Sequence, residues 1–207
     1  MMFKLSLAFL AAIILCFGAE AAYGQQHELG VLIGGVETGS HSIVPPEQGS
    51  LDINGAFALE VALDQRLINA HLASLYFDVP VIVTPSTGLS SSNVLLPRSY
   101  SSVFVTPGLK LKILPVGGFS PYLVLGGGLA HFSSSSTIQN NSPNTGNPGS
   151  TSAVYDFGGG LDIRVVPLVG LRVEVRDISS GDPSFNVSVT NSRQHNVLIA
   201  AGVVLRF

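Results

Sequence analysis

The sequence predicts an all-β fold: an eight-stranded antiparallel up-and-down β-barrel that crosses a membrane. Three observations lead to this prediction. The chain is 46% hydrophobic and only 11% charged, whereas about 25% of the residues in a soluble domain are usually charged. Its apolar residues fall in short segments, and after the N-terminus no run reaches the ~18 residues that a transmembrane helix needs. Long polar loops and short turns alternate between these segments, which is typical of membrane barrels.

The N-terminal residues have the order of features found in a secretory signal peptide. Lys4 provides a positive charge, residues 5–17 form an apolar segment, and Ala22-Tyr23-Gly24 place small side chains before a cleavage site. We therefore predict a signal peptide over residues 1–24 and one barrel domain over residues 25–207.

Cysteine content and charge exclude several classes of function. The one cysteine, Cys16, falls within the predicted signal, so we expect no disulfide and no cysteine metal ligand in the exported domain. A formal net charge of −3 gives no indication of nucleic-acid binding. No two histidines stand at metal-ligand spacing, and we expect neither a metal site nor a cofactor.

Three strands are predicted in the first part of the barrel domain. Glu28–Val36 is apolar and free of proline, and Ile53–Leu63 alternates apolar residues with others such as Glu60. A period of two residues is typical of a strand with two different faces. A turn is predicted over residues 64–69, before the third strand, Ala70–Val79.

The next segments follow the same plan. A long loop is predicted over residues 80–97, although its Val-Ile-Val run could prolong the third strand. The fourth strand, Arg98–Leu114, contains Pro107, which cannot donate a ladder hydrogen bond, and we expect a bulge or local break there. A short turn then leads to the fifth strand, Pro121–Phe132.

The last three strands follow a third long loop, and they are separated from one another by one tight turn and by a fourth long loop, residues 179–193. Residues 133–152, rich in Ser, Asn and Gly, predict a mobile loop. The sixth and seventh strands, Ala153–Val166 and Gly170–Ile178, flank a turn of three residues. The eighth strand, Gln194–Phe207, has one unbroken apolar face of the length that crosses a bilayer at a tilt. An even number of strands places both chain ends on the periplasmic side.

Charged residues on these strands are predicted to face the lumen. An Arg or Lys on the lipid face would cost about 2–4 kcal/mol at the bilayer midplane. The interior of an eight-stranded barrel is just wide enough for side chains to fill. Across the ladder, Asp162 and Arg164 are expected to reach Arg172 and Glu174. We therefore predict a lumen plugged by a structural ion-pair network, with the members Glu60, Lys110, Lys112, Asp162, Arg164, Arg172, Glu174 and Arg176.

Several segments resemble the small eight-stranded outer-membrane β-barrel families, namely the OmpA-like transmembrane domain and the OmpX- or opacity-type barrels. These segments are Pro121–Gly128, Phe157–Arg164, Gly170–Asp177 and Val203–Phe207. The resemblance covers most of the barrel domain. It implies export to the outer membrane of a Gram-negative-type bacterium, where lipid and lipopolysaccharide surround the protein. It also implies that Phe207 is a signal read by the outer-membrane assembly machinery.

The resemblance is poor for activity, because small barrels include adhesins, structural proteins and a few lipid enzymes. We expect a non-enzymatic protein with a structural or surface-interaction role, whose long loops offer a surface for an extracellular ligand. A small-solute pore is an alternative. A secreted lipocalin-like barrel is another, but it would have polar residues outside and apolar residues inside.

One motif keeps an enzymatic alternative open. His131-Phe132-Ser133 has the His-x-Ser spacing of the small-barrel lipid A deacylases, and residues i and i+2 share one face of a strand. Such a serine nucleophile needs a base and a third group to orient that base. No Asp or Glu occurs between His131 and Asp156, which speaks against catalysis.

Overall fold

The computed structural model describes residues 26–43, 50–70, 72–115, 118–183, 185–187, 189 and 193–207. The predicted signal peptide, residues 1–24, lies outside this part of the chain. Among the described residues, no helix has the length and apolar character needed to span a membrane.

Eleven antiparallel strand segments form the described part of the fold. They are β1 (His27–Thr38), β2 (His41–Ser42), β3 (Ser50–Ile53), β4 (Ala56–Asn69), β5 (Ala73–Ser91), β6 (Ser99–Val105), β7 (Gly108–Ile113), β8 (Phe119–Ser134), β9 (Gly149–Val166), β10 (Val169–Gly181) and β11 (Arg193–Arg206).

The strands close into a ring. β1 pairs with β4 on one side and with β11 on the other. The ladder continues from β4 to β5 and from β8 through β9 and β10 to β11. Between β5 and β8 lie both β6 and β7, end to end. These two segments are one interrupted strand, so the wall has eight strands and the predicted fold class is confirmed.

The interruption between β6 and β7 falls at Pro107, where a break was predicted. The Pro107 carbonyl still accepts a hydrogen bond from the Gly127 amide at 3.1 Å. The wall is tightly closed here, because a Cβ atom added to Gly128 would lie 1.9 Å from the Val105 carbonyl oxygen. Pro107 lies between the two ladder segments, so its missing N–H leaves no ladder hydrogen bond unmade.

Both strands of the β4–β5 hairpin run further than predicted. β4 continues to Asn69 through the predicted turn, because Asp64 and its neighbours pair with β1 and β5. β5 continues to Ser91, well into the predicted loop 80–97. β5 pairs with β6 as far as Gly88, after an irregularity between Thr84 and Thr87. The last residues of β5 pair with β3.

The outer face of the wall is apolar and the inner face holds the charges. Leu125, Leu123 and Ile33 are at least 60% exposed on the outside. On β11, Ile199, Val203 and Leu205 are exposed, whereas Asn196, Leu198, Val204 and Arg206 point inward and are buried. Charged residues buried in the middle of a closed barrel and apolar residues exposed around it are the arrangement that a surrounding bilayer requires.

Candidate functional site: the filled lumen and its two ends

Following the predicted orientation, we call the end of the barrel with the short turns the periplasmic end and the end with the long loops the extracellular end. Arg172 on β10 is the centre of the charged layer nearer the periplasmic end. Its guanidinium donates to Asp162 at 2.7 and 3.0 Å, to Asp64 at 3.0 Å and to Glu28 at 3.0 Å. The side chain of Arg172 is fully buried. Lys112 donates to two of the same carboxylates, Glu28 and Asp162, each at 2.6 Å. Five strands, β1, β4, β7, β9 and β10, are therefore tied together across the lumen by shared carboxylates.

Arg176, four residues after Arg172 on β10, is the centre of a second layer. It donates to Asp156 and Asp78, each at 2.8 Å, and pairs with Glu174. Glu174 also accepts a hydrogen bond from the Tyr122 hydroxyl at 2.6 Å. Bidentate and shared contacts of this kind suit the planar guanidinium group.

Lys110 connects the two layers. Its ammonium donates to Asp64 at 2.8 Å in the first layer and to Asp78 at 3.0 Å in the second. Glu60 lies at the edge of the second layer, with a carboxylate oxygen 3.7 Å from the Arg176 guanidinium. Within the described part of the chain, both Glu60 carboxylate oxygens are buried without a hydrogen-bond partner, so this contact is purely electrostatic.

The structure thus places seven of the eight sequence-predicted network residues together inside the barrel. Arg164 is the exception and corrects the prediction. Its side chain is exposed at the periplasmic end of β9, where it donates to the Pro115 carbonyl at 3.1 Å. Arg164 is opposite Gly170 in the ladder, whereas Glu174 is opposite Gly160. Four residues along a strand span about 13 Å, too far for the expected pair, and water at the barrel end solvates the arginine instead.

Other members of the network were missed. Glu28, Asp64 and Asp78 were not among the predicted lumen residues, yet each is at most 4% exposed. Asp64 was hidden because a polar cluster suggested a turn where β4 continues. Asp78 had a usable signal, since Leu75, Phe77 and Val79 alternate with it on the outer face of β5.

Carboxylates outnumber cations in the buried interior of the described barrel. The buried acids are Glu28, Glu60, Asp64, Asp78, Asp156, Asp162 and Glu174, and the buried bases are Lys110, Lys112, Arg172, Arg176 and Arg206. The balance varies with height. The second layer holds most of the acids, and the basic residues gather toward the periplasmic end.

The extracellular half of the lumen holds mainly apolar side chains, with a few buried neutral polar groups such as Thr84, Ser102 and Asn196. The sequence did not predict this apolar region. Leu32, Ile82, Phe104, Phe132 and Leu198 point inward from the wall and are at most 1% exposed. Residues of β3, the end of β5 and the connecting loops pack down onto them. These are Ile43, Leu51, Ile53, Leu89, Leu96 and Phe185. We call the whole apolar group the loop plug.

The loops above the plug are joined by hydrogen bonds, although residues 133–152 were predicted to be mobile. Gln139 donates to the Leu89 and Pro97 carbonyls at 2.9 and 3.0 Å. Asn186 donates to the Leu95 carbonyl at 3.1 Å and to the Asn144 side chain at 2.9 Å. The described loop segments thus form one polar cap over the barrel.

His131 and Ser133 lie on the outer face of β8, near the extracellular rim. The Ser133 hydroxyl is 3.4 Å from His131 Nε2, and His131 Nδ1 is 2.9 Å from the Thr151 hydroxyl on β9. All three side chains are exposed. A serine, a base and a third group are thus in line, but the third group is a neutral hydroxyl. In the described part of the chain, no three His, Cys, Asp or Glu side chains form a group able to hold a metal ion.

Comparison with solved structures gives the same fold at low sequence identity. Neisserial surface protein A aligns with 16% identity and a TM-score of 0.58, over 90% of this chain and 100% of that chain. Outer membrane protein OprG from Pseudomonas aeruginosa aligns with 13% identity and a TM-score of 0.50, over 89% and 97%. The outer membrane enzyme PagL aligns with 15% identity and a TM-score of 0.47, over 87% and 99%. No family model and no curated protein matches the chain.

These likenesses concern the fold, and the surface of the barrel says where such a fold belongs. Eight strands close without a free edge, the outer face is apolar, and the charges are inside. The fold and this surface define a small transmembrane β-barrel with the fold of the outer-membrane barrels.

Proposed function

We propose that the protein is a non-enzymatic outer-membrane barrel with a structural or surface-interaction role and a plugged lumen. The observation that carries this proposal is the filling of the lumen from the Arg172 layer to the loop plug. Two charged layers occupy the periplasmic half, and the loop plug occupies the extracellular half. An ion crossing the barrel would have to separate buried ion pairs and enter an apolar region without hydration, both of which cost several kcal/mol.

Conductance distinguishes this proposal from a small-solute pore. The purified protein is reconstituted in planar bilayers, and single-channel currents are recorded in molar salt. We expect no discrete steps. Regular steps of one size, abolished by heat denaturation, would identify a pore and contradict the plugged lumen.

The polar cap supports the surface-interaction role. Its loops are held to each other by Gln139, Asn144 and Asn186, so the cap can present a defined surface to an extracellular ligand. Preorganised surfaces bind with a smaller entropic cost than mobile ones.

The proposed orientation of the cap can be tested on intact cells. Cys16 is the only cysteine, so a cysteine introduced into the cap is easily followed. Thr145→Cys, at an exposed cap position, should react with a membrane-impermeant maleimide. The matched control is Leu168→Cys, which is 57% exposed in the turn at the opposite end. It should react only after the cells are broken, and the reverse pattern would refute the orientation.

The outer rim supports contact with lipopolysaccharide. The Arg193 guanidinium lies 5.2 Å from the centre of the Tyr155 ring, and His195 Nδ1 is 2.9 Å from an Asp177 carboxylate oxygen. Polar and aromatic groups at this level suit a headgroup region of sugars and phosphates. Replacing Arg193 with Gln should reduce co-purifying lipopolysaccharide, and an unchanged amount would argue against the contact.

Export and assembly complete the proposal. Residues 1–24 would direct export and be removed, leaving the barrel domain 25–207. Phe207 would be read by the outer-membrane assembly machinery. Phe207 lies at the seam, where β11 pairs with β1 and closes the barrel. This position supports the role, because the Phe207 backbone exchanges two hydrogen bonds of 3.0 Å with His27 and its ring stacks on His27. N-terminal sequencing of the membrane-borne protein tests the first point: a chain that still begins at Met1 would refute processing.

A lipid A-modifying enzyme is the second candidate, and the aligned Ser133, His131 and Thr151 favour it. A hydroxyl can orient the histidine, but it lacks the negative charge that would stabilise the protonated ring. Release of fatty acid from lipid A by the purified protein, lost in Ser133→Ala and increased in Thr151→Glu, would establish this activity. Equal release of fatty acid by the wild type and by Ser133→Ala would rule out Ser133 as the nucleophile of such an enzyme.

A further inference from the structure

We propose that the periplasmic mouth of the lumen is a binding site for a phosphate-type oxyanion. A cavity of about 120 Å³ lies there, below the Arg172 layer. Since one water takes about 30 Å³ of liquid volume, the cavity has room for a few waters or one small oxyanion. Its charged lining residues are Arg66, Lys112, Arg164, Arg206 and Glu28.

The lining has a surplus of positive charge. Four of these residues are cations, and Glu28 is the one carboxylate. Glu28 is already engaged, since it accepts from Lys112 at 2.6 Å, from Arg172 at 3.0 Å and from Arg206 at 3.3 Å. The surplus of positive charge faces the cavity at the end of the barrel. The excess of carboxylates, in contrast, lies in the layer around Arg176.

Arg206 provides an open donor inside this cavity. Its side chain is only 7% exposed, and its Nε points to Glu28. Its Nη1 is buried and has no hydrogen-bond partner among the residues that the structure describes. A buried guanidinium N–H without an acceptor is costly, and an anion in the cavity would remove that cost. Gly170 leaves the space that the guanidinium occupies, because a Cβ there would lie 3.0 Å from Nη1.

The residues around the cavity suit phosphate better than a simple halide. Arg164 and Arg206 offer planar N–H pairs that match the spacing of phosphate oxygens. Lys112 lies behind them over the Tyr76 ring, 4.8 Å from its centre, and adds charge at the bottom of the cavity. Such a phosphate could be a free anion or the headgroup of a phospholipid in the adjacent periplasmic leaflet, because both present the same oxygens.

The experiment is an NMR titration of the full chain, purified from membranes in a neutral maltoside detergent and phosphate-free buffer. Inorganic phosphate, dihexanoyl phosphatidylglycerol and phosphate-free dihexanoylglycerol are added separately. Saturable shifts of amides around the cavity are expected with a phosphate-bearing ligand and not with dihexanoylglycerol. Saturation by both phosphate ligands indicates a free anion, and saturation by the phospholipid alone indicates a headgroup.

Two variants and a control test the assignment to this cavity. Arg164→Gln removes an exposed charge whose side chain donates to the Pro115 carbonyl, and it should weaken binding about tenfold. Arg206→Lys keeps a charge near Glu28 but loses Nη1, and it should weaken binding to a similar degree. Arg98→Gln removes an arginine from the opposite end of the barrel and should leave binding unchanged. Gel mobility with and without heating verifies that each variant is folded.

Three results would overturn the proposal. They are the absence of saturation with either phosphate ligand, unchanged affinity in folded Arg164→Gln, and equal weakening in Arg98→Gln. The last result would mean that phosphate follows the net charge of the protein and not the cavity.

Discussion

Replacing Arg172 with Met tests whether the ion-pair network holds the barrel together. Methionine fills much of the arginine's volume but removes the cation that Asp162, Asp64 and Glu28 share. Breaking a buried ion pair by removing one partner typically costs about 3–5 kcal/mol, because the other charge is left without compensation. Each 1.4 kcal/mol is a factor of ten. The equilibrium constant of unfolding should therefore rise by about 10²- to 10⁴-fold.

The measurement is urea unfolding of the protein refolded into lipid vesicles, followed by gel mobility without heating. Arg193→Met is the matched control, because this arginine is exposed on the outer rim over Tyr155. Exposed pairs and exposed cation–π contacts contribute about 0–1 kcal/mol. Equal stability of the two variants would refute the inference that the network stabilises the barrel.

Three further predictions concern the seam and the plug. Gly202→Ala should destabilise the barrel by about 1–3 kcal/mol, because the added Cβ would lie 2.0 Å from the Val31 carbonyl oxygen. The control Gly39→Ala should be neutral, because no described atom lies within 4 Å of its added Cβ. Equal urea midpoints for the two variants would contradict this prediction. Deleting Phe207 should lower the amount of protein assembled in the outer membrane more than it lowers refolding in vitro, and unimpaired assembly would count against its role as a signal. Phe185→Ala should cost about 3–5 kcal/mol by leaving a cavity in the loop plug, as measured by the same unfolding assay, and wild-type stability would show that the plug is not packed.

The strands could be predicted from the sequence wherever the two faces differ in polarity. β10 alternates Leu171, Val173 and Val175 with Arg172, Glu174 and Arg176, so its faces and its lumen charges were both predictable. The terminal strand could be predicted for the same reason. Pro107 was also readable, because its missing N–H acts locally and does not depend on the rest of the fold.

The loop plug could not be predicted in this way. On the extracellular half of the barrel, residues such as Ile82, Phe104 and Leu198 face the lumen, while their neighbours face lipid. Both faces are apolar there, and the period of two residues disappears. Their partners, Leu96 and Phe185, lie in the loops far apart in the sequence, and only the closed barrel brings them together.

The position of a charge along a strand was harder to predict than its face. Arg164 is on the same face of β9 as Asp162, but it lies where β9 ends and water is available. Asp64 shows the opposite case, because a residue assigned to a turn is fully buried between Lys110 and Arg172. Such differences depend on where each strand ends, which is set by pairing with distant strands.

Fractionation followed by heat-modifiable gel mobility tests most directly whether this chain forms a closed barrel in the outer membrane. The protein should sediment with outer membranes and require detergent for extraction. The unheated sample should migrate differently from the boiled sample, since a closed barrel with a buried ion-pair network resists dodecyl sulfate at room temperature. Recovery of the exported protein in the soluble fraction without detergent, with one mobility before and after heating, would contradict the membrane barrel.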